Sequence, residues 1–173
     1  MSVNKGYLTA KTDKASDEYF TPPEAVKPLL RFIPTNKILW CPFDKATSSY
    51  VRVFEEAGYR VLHSHIDEGK NFFFYEPEEP YDVVISNPPF SVKDDILRRL
   101  TELNKPYAML LPLPTLQGQK RFDDLVGSEA LIFDKRINFF TDEAQTQMAK
   151  GVAFASIYVC KGILPEKLIF ERL

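Results

Sequence analysis

Glycine, cysteine and histidine are scarce in this chain of 173 residues, which contains seven, two and two of them. Cys41 and Cys160 lie far apart in the sequence and form no metal-type pair, so we expect reduced thiols, a cytoplasmic protein and no metal site. No apolar run approaches the length of a membrane span, and the polar N-terminus lacks the pattern of a signal peptide. A membrane is therefore not an expected partner.

Neither sign of charge dominates, since 22 basic and 24 acidic residues leave a formal net charge of −2. This balance provides no overall electrostatic surface for nucleic acid and counts against tight duplex binding, although a local basic face remains open. Hydrophobic residues make up 45% of the chain, which is typical of a folded globular protein. We expect a flexible N-terminus over residues 1–16 and one domain over residues 17–173, without a separate target-recognition domain.

The most specific pattern lies between Tyr81 and Phe90. The β-branched run from Val83 to Ile85 predicts a buried strand, and the tetrapeptide Asn87-Pro88-Pro89-Phe90 ends it, because proline donates no backbone hydrogen bond. The next segment, Ser91 to Leu103, predicts a helix with Ser91 as its N-cap. This succession places the tetrapeptide at the carboxyl end of a strand, where open α/β sheets bind ligands.

The tetrapeptide also suits a particular chemistry. An exocyclic amine such as adenine N6 is a poor nucleophile, because its lone pair is delocalised into the ring. Two acceptors, the Asn87 side-chain carbonyl and the Pro88 backbone carbonyl, would favour a more tetrahedral nitrogen, and Phe90 offers a face for stacking. The alternative is a turn in which Asn87 is a cap and the prolines only stop the strand.

At Asn87, Pro88, Pro89 and Phe90 the chain resembles the S-adenosylmethionine-dependent amino-methyltransferases, which carry Asp/Asn/Ser-Pro-Pro-Tyr/Phe/Trp. That group includes N6-adenine and N4-cytosine DNA methyltransferases, N6-adenine RNA methyltransferases and glutamine protein methyltransferases. The resemblance implies S-adenosyl-L-methionine as cofactor. It also implies an α/β class I methyltransferase fold: a Rossmann-like three-layer sandwich, with a mostly parallel sheet and an antiparallel terminal strand.

Two segments resemble the family's cofactor site near the first strand, which is predicted over Lys37 to Cys41. Tyr19-Phe20-Thr21-Pro22 matches a Tyr-x-Thr-Pro segment that contacts the cofactor; from the residues alone, Thr21 is an N-cap and Pro22 begins a helix. Cys41-Pro42-Phe43-Asp44 stands where most such enzymes have a glycine-rich turn, and looks like a variant in small phage- and mobile-element-type adenine methyltransferases. Asp44 is expected to cap a helix reaching Gly58, and could also accept from a ligand amine.

The second strand, predicted over Arg60 to His65, ends where the family usually has an acid that holds the ribose hydroxyls. We favour Asp67 for this role, with His65 as its rival. Gly69-Lys70-Asn71-Phe72 resembles a Gly-x-Asp-Phe segment that reads the cofactor adenine. Asn71 would then accept from the amino group and Phe72 would stack, although an aromatic cluster is more often core.

Further strands are predicted over Pro106 to Leu113, Leu131 to Phe133 and Ser156 to Val159, the last two as an antiparallel pair, with a short helix over Thr115 to Val126. The run from Arg136 to Phe139 resembles a family Arg-x-x-Phe beside the target pocket. Four basic residues either face phosphates together or are scattered solvated charges: Lys120, Lys135, Arg121 and Arg136.

The function expected is methylation of adenine N6, in DNA first and in RNA second, on a base flipped out of a duplex. Two other classes remain open: a glutamine methyltransferase acting on protein, and a non-catalytic binding protein on a methyltransferase scaffold. A second subunit or a homodimer is a further expected partner, because little chain is left to read a sequence in a groove.

Overall fold

The computed structural model describes residues 19–149 and 154–173. The predicted flexible N-terminus, residues 1–16, lies outside the described residues and stays a prediction.

Seven strands form one sheet in the order β2-β1-β3-β4-β6-β5-β7. Neighbours among the first four in this order run parallel, β6 is antiparallel to both β4 and β5, and β7 is parallel to β5. The strands are β1 Ile38–Cys41, β2 Arg60–His63, β3 Val83–Ser86, β4 Tyr107–Pro112, β5 Glu129–Phe133, β6 Ser156–Lys161 and β7 Leu168–Glu171.

Helices cover both faces of this sheet, so the molecule has three layers. The α-helices are α1 Pro23–Val26, α2 Ser49–Glu56, α3 Lys93–Leu103 and α4 Phe122–Leu125. Side chains alternate along each strand: Leu39 packs in the core shared with α1 and α2, whereas Trp40 packs in the core shared with α3. The predicted Rossmann-like α/β fold, a three-layer sandwich with a mostly parallel sheet, is therefore confirmed.

The sheet differs from the prediction at its end. The antiparallel pairing of the two late strands is confirmed, with Leu131 opposite Tyr158. However, β6 lies inside the sheet, and the last strand is β7, which sequence analysis missed. Its run Leu168-Ile169-Phe170 is short and is bounded by charged residues, so it carries only a weak strand pattern.

Three predicted helix caps are wrong. Thr21 is not a cap, because α1 begins at Pro23 with Pro22 at the N-cap position. Asp44 lies four residues before the true cap of α2, Ser48, whose hydroxyl accepts from the Val51 amide at 3.2 Å. Ser91 lies inside a 3-10 turn, Phe90–Val92, that separates the two prolines from α3.

Two predicted elements end differently. The second strand stops at His63, and His65 instead accepts from the Asp67 amide at the start of a 3-10 turn, Ile66–Glu68. The helix predicted from Thr115 to Val126 is broken at Gly118, where a Cβ would lie 2.5 Å from the Arg121 guanidinium carbon. Two 3-10 turns and the short α4 replace it.

Neither a membrane-spanning helix nor a metal-binding group occurs among the described residues. None of their helices combines the length and apolar character needed to cross a bilayer. Their His, Cys, Asp and Glu side chains form no group of three or more that could hold a metal ion.

Candidate active site

Asn87 follows β3 directly and is held in one orientation by a distant part of the chain. Its Nδ2 donates to the backbone carbonyl of Tyr19 at 3.0 Å, which directs Oδ1 the other way. Oδ1 is buried, and within the described residues it has no hydrogen-bond partner. An unpaired buried acceptor costs about 1–3 kcal/mol, so this atom indicates a ligand that donates a hydrogen bond.

The prolines and Phe90 shape the surroundings of that atom. Pro88 is buried, and Pro89 has an extended backbone, with φ −60° and ψ 123°, that leads into the 3-10 turn. The half-buried Phe90 ring packs edge-to-face on Phe154, with 5.3 Å between ring centroids. Part of the Phe90 ring therefore remains available to a planar ligand.

An aromatic wall continues from Phe90. The Tyr19 ring lies 6.1 Å from Phe154 and 5.7 Å from the buried Phe139, the aromatic end of the Arg-x-x-Phe segment. Phe139 thus lies beside Tyr19, the residue whose carbonyl holds Asn87. Phe154 was missed, because nothing in the small and apolar sequence around it marks a binding residue.

Asp44 connects the turn after β1 with the turn after β3. Its carboxylate is 7% exposed and accepts from the hydroxyl of Ser86, the residue immediately before Asn87. Its amide donates to the Ser64 carbonyl at 3.1 Å. Burial raises the pKa of Asp44 from 3.8 to about 6, although hydrogen bonds from Ser86 and Ser48 lower it. Asp44 therefore joins the site through its side chain.

Two buried tyrosine hydroxyls lie close to Asp44. The Tyr50 and Tyr158 hydroxyls lie 2.9 Å apart, and burial raises the pKa of both phenols. Thr21 Oγ1 is buried beside the Tyr50 hydroxyl but makes no hydrogen bond of normal geometry among the described residues. Pro22, the next residue, is also buried.

The turn after β1 does not need glycine. Positive φ angles among the described residues occur at Asn104, Gln145 and four glycines, and none of them falls between Cys41 and Ser48. The left-handed conformations that favour glycine are thus not used here. Pro42 is buried and Phe43 is half-buried above Phe72, so the turn has an ordinary backbone and an apolar lining.

Cys41 itself belongs to the sheet. It has no exposed surface, its carbonyl accepts from the Ser64 amide at 3.1 Å, and burial raises the pKa of its thiol. Its predicted cofactor contact has no side-chain surface on which to form, and the neighbouring Asp44 is the polar group of the turn.

Asp67 lies next to the same turn. Its carboxylate is 3.1 Å from Lys45 Nζ and 3.4 Å from His65 Nδ1. His65 Nδ1 already accepts from the Asp67 amide at 3.1 Å, whereas the Asp67 carboxylate is exposed. This arrangement favours Asp67 over His65 as the hydroxyl acceptor at the edge of the site.

The segment expected to read adenine has a structural use of its own. Asn71 Oδ1 accepts from the Phe73 amide at 3.1 Å, forming a local turn. Phe72 is 2% exposed and packs against Trp40 and Phe43, with centroid distances of 5.5 and 5.0 Å. The prediction that Phe72 stacks on the cofactor adenine is therefore wrong, and the alternative that it is a core residue holds. Phe72 supports the turn after β1 by packing against Phe43.

Arg121 does not face phosphates. It forms an ion pair with Asp94 and donates to the carbonyls of Thr115 and Gln117 at 2.8 and 3.0 Å. A phosphate-facing surface shared by all four basic residues, one of the two alternatives left open, is therefore contradicted at Arg121. Lys120 is exposed in the 3-10 turn Gln119–Arg121, and Lys135 is exposed in the bend after β5.

Two buried hydroxyls at the same edge were missed. Thr115 and Ser156 are almost completely buried, and their hydroxyls have no hydrogen-bond partner in the described part of the chain. Thr115 lies in the 3-10 turn Leu113–Leu116 that follows β4, and Ser156 begins β6 opposite Pro112, the last residue of β4. Isolated hydroxyl residues carry no sequence signal, and only the tertiary structure shows that both are buried without a partner.

Residues 137–149, here called the strap, cross the site and hold its parts together. Phe20 and Phe140 exchange backbone hydrogen bonds of 2.9 Å. Glu143 accepts from the Thr47 hydroxyl at 2.7 Å, and Gln145 donates to the Ser49 hydroxyl at 2.6 Å. The strap thereby joins the Tyr19 segment to the turn after β1.

No protein-family model matches this chain, and no curated protein matches its sequence. Among solved structures, the chain is similar to the crystal structure of a dimethyladenosine transferase from Plasmodium falciparum, with 10% identity and a TM-score of 0.47. The alignment covers 86% of this chain and 64% of that one, so this chain spans less than two thirds of its length. Such a similarity is too low to transfer an activity, a substrate or a cofactor.

Proposed function

We propose that this protein transfers a methyl group from S-adenosyl-L-methionine to the N6 amine of adenine in DNA. The observation that carries the proposal is the buried, unpaired Asn87 Oδ1, oriented by the Tyr19 carbonyl at the carboxyl end of β3. An adenine amine would donate one N–H to this atom and the other to the Pro88 carbonyl. Both acceptors are neutral, so they stabilise a nitrogen that becomes transiently positive without removing its proton first.

The residues around the turn after β1 fit the cofactor. Thr21 Oγ1 lacks a normal hydrogen bond, Asp44 supplies a buried carboxylate, and Asp67 supplies an exposed one. These groups suit a ligand that carries an amino group and ribose hydroxyls. When bound, the cofactor supplies the activated methyl group.

The remaining work falls to positioning by this chain's own residues. Phe90 offers a stacking face for the base, while Tyr19 and Phe139 keep water from the amine. Holding amine and methyl group in line is worth a large part of the barrier in such a transfer. Residues 17–173 would act as one methyltransferase catalytic domain, with weak sequence preference unless a second subunit reads the target.

The test uses cofactor with a labelled methyl group and short oligonucleotides of both nucleic acids. We expect label in N6-methyladenine of DNA, and none in a matched oligonucleotide whose adenines are already N6-methylated. Label appearing only in RNA, or only in a glutamine peptide, would contradict the proposed substrate. Calorimetry with S-adenosylhomocysteine accompanies it: no binding at millimolar ligand would remove the cofactor proposal, whereas binding without any transfer would indicate a non-catalytic binding protein.

A further inference from the structure

The outer strand β7 presents an open, apolar edge. β7 pairs with β5 on one side only, and no described strand covers its other side. Leu168 and Phe170 on this strand are 48% and 71% exposed. Open edges with apolar side chains recruit further strands, and natural proteins usually blunt them with charge or proline.

The backbone of β7 determines which residues can bind a new strand. The carbonyls of Lys167 and Glu171 accept from amides of Ala130 and Asp134 at 2.9 and 3.0 Å, so these odd-numbered residues face β5. Leu168 and Phe170 consequently direct their N–H and C=O groups to the open side. An added antiparallel strand must place its own outward-facing residues opposite these two.

A second copy of β7 meets this condition in a register centred on Ile169. Leu168 then lies opposite Phe170 of the second copy, and Glu166 lies opposite Arg172 of the second copy. Apolar residues thus meet apolar ones and opposite charges meet, on one face of the new ladder. Shifting the register by two residues instead places Glu166 opposite Phe170, or Leu168 opposite Arg172, so self-complementarity belongs to this register.

We propose that the protein forms a homodimer in which the two β7 strands pair antiparallel around Ile169 and join the two sheets. Leu168 of each copy exchanges two backbone hydrogen bonds with Phe170 of the other copy, and the side chains of these residues form one apolar cluster. Glu166 and Arg172 are both exposed, so their side chains are accessible for the flanking ion pairs. On the opposite face, Glu171 already pairs with Arg31, so the charges there add less.

The interface is small and leaves the candidate site free. β7 is separated from β3 by β5, β6 and β4 in the sheet, so Asn87 stays accessible in the dimer. An edge of four residues buries less than the roughly 1,600 Å² of a standard stable interface. We therefore expect a reversible dimer that dissociates on dilution through the micromolar range.

A charge exchange tests the register. The symmetric dimer contains the Glu166–Arg172 pair twice. Glu166→Arg alone therefore places two arginines opposite each other at both positions, and Arg172→Glu alone places two glutamates opposite each other at both positions. We expect each single variant to weaken dimerisation about tenfold in sedimentation velocity, and the double variant Glu166→Arg/Arg172→Glu to return to within about twofold of the wild type. Rescue of this kind cannot come from a folding defect. A wild type that stays monomeric at high concentration, or a dimer unaffected by the single variants, would overturn the proposal.

A crosslink provides an independent readout. In this register Ile169 lies opposite Ile169 of the second copy, in a pair that is not hydrogen-bonded. The Cα atoms of such a pair lie about 4.5 Å apart, within disulfide range. Ile169→Cys should form a covalent dimer under mild oxidation, whereas the neighbouring control Leu168→Cys should not, because it faces Phe170. The native Cys41 and Cys160 are buried and do not compete. Equal crosslinking of the two variants would contradict the register.

Discussion

Two buried polar side chains at opposite ends of the sheet show how differently this fold treats such groups. Glu129, at the amino end of β5, is 8% exposed and accepts from three backbone amides at 2.7–3.0 Å: those of Gly162, Ile163 and Leu164. Asn87, at the carboxyl end of β3, has one hydrogen bond to Tyr19 and a buried oxygen without a partner. The first group is fully satisfied and the second is not.

The difference lies in whether the packed chain itself supplies the hydrogen-bond partners. Glu129 closes the connection between β6 and β7, and its oxygens have no need of a ligand. Buried oxygens without a partner among the described residues occur at both edges: Asn87, Thr115 and Ser156 at one, and Tyr107 and Ser128 at the other. Asn87 differs from the rest because Tyr19 orients its side chain, at the edge where α/β sheets bind ligands.

The largest effect on stability is expected for Glu129, whose carboxylate accepts three hydrogen bonds. Glu129→Ala leaves one buried and two part-buried amides without their acceptor, and an unpaired donor costs up to about 1–3 kcal/mol, so the free energy of unfolding should fall by about 3–5 kcal/mol. Chemical denaturation measures this loss. Glu129→Gln keeps one acceptor oxygen and should lose clearly less. A loss below about 1 kcal/mol in Glu129→Ala would show that water replaces the carboxylate.

For Asn87, at the carboxyl end of β3, the effect should fall on the rate of methyl transfer. Asn87→Ala should lower the rate of methyl transfer roughly a hundred- to a thousandfold, or about 2.7–4 kcal/mol, because it removes an acceptor that matters most as charge develops on nitrogen. Cofactor affinity should stay within a few-fold, and stability should change little. Asn36→Ala, on an exposed turn before β1, is the matched control. Undiminished turnover would remove the proposed mechanism, and joint collapse of cofactor binding and folding would make the tetrapeptide a structural turn.

Asp44 should make this end sensitive to pH. Its pKa is raised from 3.8 to about 6, so the folded state holds this proton more tightly than the unfolded chain does. Its contribution to stability is fully present below pH 3.8 and is lost as pH rises through about 6. The free energy of unfolding should fall by about 3 kcal/mol across that window because of this group. Denaturation of the wild type and of Asp44→Asn between pH 4 and 8 measures the difference; superimposable pH profiles would argue against it.

The smallest effect should appear at Phe90. Phe90→Ala should weaken binding of the target strand by about 1–3 kcal/mol through lost stacking, while cofactor affinity is unchanged. Binding of an adenine-containing single strand, followed by fluorescence anisotropy, measures it. Phe74→Ala is a control, since this side chain is 65% exposed and lies outside the aromatic wall. Equal weakening in both variants would exclude a specific stacking role.

Sequence reasoning succeeded where the pattern is local. The apolar run of β3 and the two prolines lie within eight residues, so the strand, its end and the following helix could be read directly. It failed where a partner comes from far away. Arg121 is engaged by Asp94, 27 residues earlier, and the burial of Phe72 depends on Trp40. Both looked like ligand contacts because sequence shows a residue's type without its neighbours.

The sequence by itself determined six of the seven described sheet strands, the turn at Asn87-Pro88-Pro89-Phe90 and the chemistry that its side chains can offer, because these depend on neighbouring residues. Tertiary structure alone decided which polar atoms stay unpaired. Asn87 is oriented by Tyr19, 68 residues away, and Asp44 is buried against Ser86, 42 residues away. Hydrogen-bond satisfaction is a property of the packed molecule, so the unpaired Asn87 oxygen could be recognised only after the chain had folded.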